Sequence, residues 1–115
     1  MSHPIFRRVN RDDTTPQTER PAPEKVLSGD PVHTTWSLTE EADLFAGLWQ
    51  STPGKWQVSY SEWEYIRILE GYSIVTDAEG RETHLRPDDS FIINRGYTGT
   101  WEVRETTLKE YVIRL

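Results

Sequence analysis

The sequence predicts an all-β domain of the sandwich or barrel kind. Three observations carry that expectation. From Val26 onward, short stretches of alternating or apolar residues follow one another at close spacing. Turn formers such as Pro53-Gly54, Asp77–Gly80 and Pro87 separate them, the pattern of short strands joined by tight loops. Only Ser37–Leu44 ("SLTEEADL") has the look of a helix start, with Ser37 or Thr39 as cap and acids behind it.

Taken in order, Met1 to about Lys25 is polar, carries four prolines and shows no strand or helix period. It is expected to be an extended arm, free or lying across a partner subunit. Residues 26–115 then form the domain. "LFAGLWQ" (Leu44–Gln50) is a strand rich in large apolar residues, and Pro53-Gly54 turns the chain. "KWQVSY" (Lys55–Tyr60) alternates. "EYIRILEG" and "YSIVTD" follow, with a turn expected at Gly71. "DAEG" is a hairpin loop, "ETHLR" a brief strand stopped by Pro87, and "SFIIN" the next. After the loop "RGYTG", "TWEVRE" and "KEYVIRL" close the chain.

At 115 residues the chain holds one modest core. Its net charge of -6 argues against a nucleic-acid surface, because phosphate binding needs a basic face. The one basic cluster, Arg7, Arg8 and Arg11, is followed at once by Asp12 and Asp13. With no cysteine, disulfides, thiolate catalysis and cysteine-bound zinc are excluded. No apolar run reaches membrane-spanning length, so no membrane partner and a cytoplasmic location are expected. Five Trp and five Tyr are expected to fill a small barrel, since alternation sends several to one face.

Glu64 begins "EYIRILEG", ahead of Ile66, Ile68 and Leu69. A carboxylate facing such an interior is costly unless a cation or donors receive it. Six residues separate Glu64 from Gly71, and this stretch resembles the second half of the first cupin motif. "GRETHLRPDDSFIINRG" resembles the second, with Asp88 in place of a glycine and Asn94 in place of a proline. "GLWQSTPGKWQVSYSEWEYIRILEG" and "GYTGTWEVRETTLKEYVIRL" look like a branch of small single-domain cupins of unassigned function, related to the ureidoglycine aminohydrolase and ethanolamine-utilisation cupins. The resemblance covers roughly residues 27–115. It implies a cupin (RmlC-like) double-stranded jelly-roll β-barrel and a homodimer.

Metal cupins of this kind hold their ion with an H-x-H pair, the glutamate and a third histidine. Carried onto this chain, the glutamate is Glu64. The pair falls on Gln57 and Ser59, or on Val58 and Tyr60, and the third histidine falls near Gly99. None of these is histidine, so no metal and no cofactor are expected. The chain has His3 in the arm, His33 ahead of the first clear strand, and His84 on a strand.

With Glu64 inward as the resemblance implies, period two sends Ile66 and Ile68 inward too. Gly99, Trp101 and Val103 are expected to join them, with Tyr111, Ile113 and Leu115 as a further face. The expected ligand pocket then holds Glu64 and Trp101, with Tyr60, Gln57 or Ser59 at its mouth and Arg95 and Tyr97 on its rim. Either Glu64 receives a small polar metabolite there, or Tyr60 or Arg95 holds it and Trp101 fills the space. Three functions follow: a metal-independent metabolite binder, an amidohydrolase-type enzyme similar to ureidoglycine aminohydrolase, or a structural or regulatory dimer with a filled barrel.

Overall fold

Two long strands organise the molecule. The computed structural model describes residues 5–115, so Met1–Pro4, with His3, lie outside the described residues. The strands are β1 (Gln17–Glu19), β2 (Val26–Gly29), β3 (His33–Glu41), β4 (Leu44–Ser51), β5 (Gly54–Ser59), β6 (Trp63–Asp77), β7 (Glu82–Leu85), β8 (Ser90–Ile93) and β9 (Thr98–Arg114). All pairings are antiparallel. Strands β6 and β9 pair along almost their whole length, from Trp63↔Arg114 to Asp77↔Gly99.

Because both strands bend midway, each serves two layers. The N-terminal part of β6 pairs with β8, and the C-terminal part of β9 pairs with β4, which continues to β3 and β1. The C-terminal part of β6 pairs with β7, and the N-terminal part of β9 pairs with β5, which continues to β2. The layers face each other across the core as a double-sheet jelly roll, the architecture the sequence predicts.

The bend explains one correction. The turn expected at Gly71 is a run of register shifts within a continuous strand, between Ile68 and Ser73. Gly71 has φ +90, and a Cβ there would lie 2.1 Å from the Thr106 carbonyl oxygen of β9. Only glycine permits that approach. The segments "TWEVRE" and "KEYVIRL" are likewise one continuous strand, β9.

A second correction concerns Ser37–Leu44. The expected helical turn is the end of β3, a turn at Ala42 (φ 54) and the start of β4. Glu40 and Glu41 pair with Phe45 and Leu44 instead of capping a helix. Pairing with an apolar neighbouring strand outweighs the weak local preference of a short acidic stretch. The arm contributes β1, whose Gln17–Glu19 pair with His33–Thr35.

Local chemistry secures the other turns. The Asp77 carboxylate accepts from the Glu79 and Arg81 amides at 2.9 and 3.0 Å, closing the hairpin before β7. Asp88 takes φ 77 in the turn after Pro87, a conformation that aspartate tolerates. It also pairs with Arg67 at 3.0 Å on the outer face.

The core is Trp56, Ile66, Ile68, Leu85, Trp101, Val103 and Tyr111, ringed by half-buried Phe45, Trp49, Val58, Val75, Phe91, Ile93 and Ile113. Period two therefore places Glu64, Ile66 and Ile68 inside, together with Trp101, Val103, Tyr111 and Ile113. Leu115 is the exception at 59% exposed, because the last strand ends at Arg114.

Candidate functional site

The paired strands β6 and β9 bring the central polar groups together. Glu64 enters from β6, 4% exposed. Lys109 enters from β9, 5% exposed, and donates from Nζ to Glu64 Oε2 at 3.1 Å. The ammonium also sits over the rings of Trp49 and Trp101, 4.6 and 4.7 Å from their centroids. Carboxylate and indole faces both favour the charged amine, so the buried ion pair is compensated on several sides. Glu64 is thus received by Lys109 and not by Tyr60 or Arg95, whose guanidinium instead reaches the Arg114 carbonyl at 3.4 Å.

Around this pair lies a cavity of about 630 Å³. Phe45, Trp49, Trp56 and Trp101 wall it, and Glu64, Lys109 and His33 supply charge and hydrogen-bonding groups. Gln57, Ser59 and Tyr60 also line it, as do Glu19, Glu40 and Glu62. Five of the sequence-predicted residues therefore meet here: Glu64, Trp101, Tyr60, Gln57 and Ser59. Arg95 and Tyr97 do not. They line a second cavity of about 460 Å³ between β7, β8 and the loop at Asn94–Tyr97. Tyr60 and Trp101 are common to both walls.

Tyr60 is fixed by its backbone, which exchanges hydrogen bonds with Tyr97 and Gly96 at 2.9 and 2.7 Å. Burial, then the charges of Glu64 and Glu62, push its phenol far above the usual range. It stays protonated and presents a donor. Trp101 Nε1 and His33 Nε2 are both buried without a partner, so each is a hydrogen-bonding group still to be met.

His33 is a residue that the sequence reading left aside. It opens β3, and its ring lies 4.9 and 4.6 Å from those of Trp49 and Trp56. Burial, and then the charge of Lys109, lower its pKa to about 4. A histidine neutral in the folded state and free to charge when unfolded makes stability depend on pH. The unfolded chain binds the extra proton between pH 6.5 and about 4. Stability is therefore whole above that window and falls as pH drops through it. Urea unfolding of wild type and His33→Gln across the window checks this. The wild type should lose more stability than the variant, and equal losses would contradict it.

Lys109 was also missed, although a signal was present. Counting back by two from Tyr111 and Ile113 places Lys109 on the inward face. A lysine in that phase is easily taken for a surface residue, since lysine is almost never fully buried unless paired.

The donor set does not fit the metal of conventional cupins. Among the described residues no group of three or more His, Cys, Asp or Glu is placed to hold an ion. The cation beside Glu64 is the Lys109 ammonium. Near the third histidine position, a Cβ on Gly99 would lie 2.0 Å from the Thr76 carbonyl oxygen, so no side chain can be placed there without moving backbone. No helix among the described residues is long and apolar enough to cross a membrane.

A bent double-sheet jelly roll with its polar groups gathered between the layers defines the class: this is a cupin. Within that class, the sequence profile of the EutQ-like cupin domain matches residues 38–111, and the chain belongs to that family. Solved structures agree in fold. A protein of unknown function of the DUF861 family from Pseudomonas syringae pv. tomato superposes with TM-score 0.78 at 22% identity, covering 86% of this chain and 43% of that one. This chain thus spans less than half the length of that protein. The EutQ protein of Clostridium difficile gives 0.66 at 16% identity, covering 73% and 68% of the two chains. A putative ethanolamine utilization protein Q from Salmonella typhimurium LT2 gives 0.65 at 17%, covering 83% and 77%. No curated protein matches the chain.

Proposed function

We propose that this cupin binds a small polar metabolite in the first cavity, with Lys109 serving as the fixed internal cation. The observation that carries the reading is the buried Lys109–Glu64 pair on the wall of a 630 Å³ space. That volume lies in the usual range for small-molecule sites, as does the mix of aromatic wall and few polar groups. The ammonium has three N–H donors, and one is given to Glu64. Tyr60, protonated and close enough to Glu64 to feel its charge, adds a further donor. Such a wall suits a ligand rich in hydroxyl or carbonyl oxygens. The cavity also counts against the filled barrel expected of a purely structural protein. The amidohydrolase-type alternative gains no support, because the carboxylate it needs as a base is bonded to Lys109.

Thermal unfolding against a panel of polyols, sugars and small amides tests the reading. A ligand at a hundredfold its Kd stabilises by about 2.7 kcal/mol. At least one compound should raise the midpoint of the wild type, and Tyr60→Phe, which removes one donor and little volume, should reduce that rise. If nothing in the panel stabilises the wild type, or if the rise is the same in Tyr60→Phe, this account of the cavity loses its support.

A further inference from the structure

The second cavity differs in chemistry from the first. Its wall is made largely of Ile66, Val75, Leu85, Phe91 and Ile93, which turn apolar groups toward a space of about 460 Å³. In a chain of net charge -6, not one carboxylate lines it, and Arg95 is the single charged residue of the wall. The Arg95 guanidinium is exposed and has five N–H donors. Its hydrogen bond to the Arg114 carbonyl is long, at 3.4 Å, and no carboxylate pairs with it among the described residues. Trp101, 2% exposed and with its indole N–H unpartnered, borders the same space. An apolar chamber with one free cation at its rim complements a molecule with an apolar body and one negative end.

We propose that this cavity is a separate binding site for a small amphiphilic carboxylate. The apolar body lies among Leu85, Phe91 and Ile93, and the carboxylate meets Arg95. The first cavity suits such a ligand less well, since four carboxylates, Glu19, Glu40, Glu62 and Glu64, line it against two lysines, Lys25 and Lys109. The two sites share Tyr60 and Trp101 in the wall between them, but the second is argued from Arg95 and the apolar residues of β7 and β8, which the first does not use.

Calorimetric titration of the full chain with octanoate tests the proposal, with octylamine and octan-1-ol as comparators. Octanoate should bind one to one at millimolar concentration or below, and octylamine should bind at least tenfold more weakly. Arg95→Gln should weaken octanoate about fivefold and leave octan-1-ol unchanged, as expected for an exposed charge contact. Thr83→Trp, at an exposed wall position of β7, should fill the space and abolish octanoate binding without altering the fold seen by circular dichroism. Amide shifts on adding octanoate should fall on Thr83–Leu85 and Phe91–Tyr97. The proposal is overturned if octanoate does not bind, if octylamine binds equally well, or if the shifts gather instead at His33, Trp49 and Lys109.

Discussion

Lys109→Met is expected to destabilise the protein by about 3–5 kcal/mol, the usual cost of removing one partner from a buried ion pair. Folded domains of ordinary stability have roughly 5–15 kcal/mol in total, so the loss is a large share of the whole. The reason is specific. Methionine keeps most of the lysine volume and its packing against Trp49 and Trp101, but it leaves the Glu64 carboxylate buried with no cation. Lys109→Met combined with Glu64→Leu should recover most of the loss, because replacing both partners with apolar groups is often neutral or better. Urea denaturation of the three proteins reads both effects. A single variant as stable as wild type at neutral pH would mean that the pair is solvated.

Trp101→Ala carries the second large effect, about 3–5 kcal/mol, from truncating a fully buried Trp. Trp101 stacks on Trp56 with ring centroids 6.4 Å apart, meets Trp49 edge-on at 5.8 Å and lies under the Lys109 ammonium. Its loss removes transfer energy, aromatic contacts and one face of the cation cage together. It also takes away a wall shared by the two cavities. Trp101→Phe keeps an aromatic face and should cost clearly less. Chemical denaturation should rank wild type above Trp101→Phe and Trp101→Ala last. Equal stability of Phe and Ala at this position would remove the aromatic contribution from the account.

The fold was readable from the chain because its strands are punctuated by residues with single physical meanings. Pro53-Gly54, Asp77–Gly80 and Pro87-Asp88 stop or reverse the chain wherever they stand, and the period-two phase fixed by Glu64, Ile66 and Ile68 survives in the structure. Gly71 was harder. A glycine that reverses the chain and one that lets a strand bend past its neighbour look alike until the Thr106 carbonyl is seen 2.1 Å from where a Cβ would stand. Ser37–Leu44 misled because cap-like residues and acids also occur at the end of a hairpin.

The candidate site was readable only in part. Glu64 was found because a carboxylate ahead of an apolar strand is conspicuous. Its partner, 45 residues later, was not, since pairing between distant strands leaves no local trace. Arg95 and Tyr97 were placed by the loop that carries them, and loop position does not say which side of Tyr60 and Trp101 the side chains serve. His33 was passed over because its burial comes from Trp49 and Trp56, residues on two other strands.

Inside the barrel the cation that receives Glu64 is the Lys109 ammonium. Elemental analysis of the protein, purified without chelator and without an affinity tag that binds metal, checks this. Wild type and Lys109→Met should each carry far less than one equivalent of any transition metal. One equivalent of a divalent transition metal in the wild type, lost in Glu64→Gln, would contradict it.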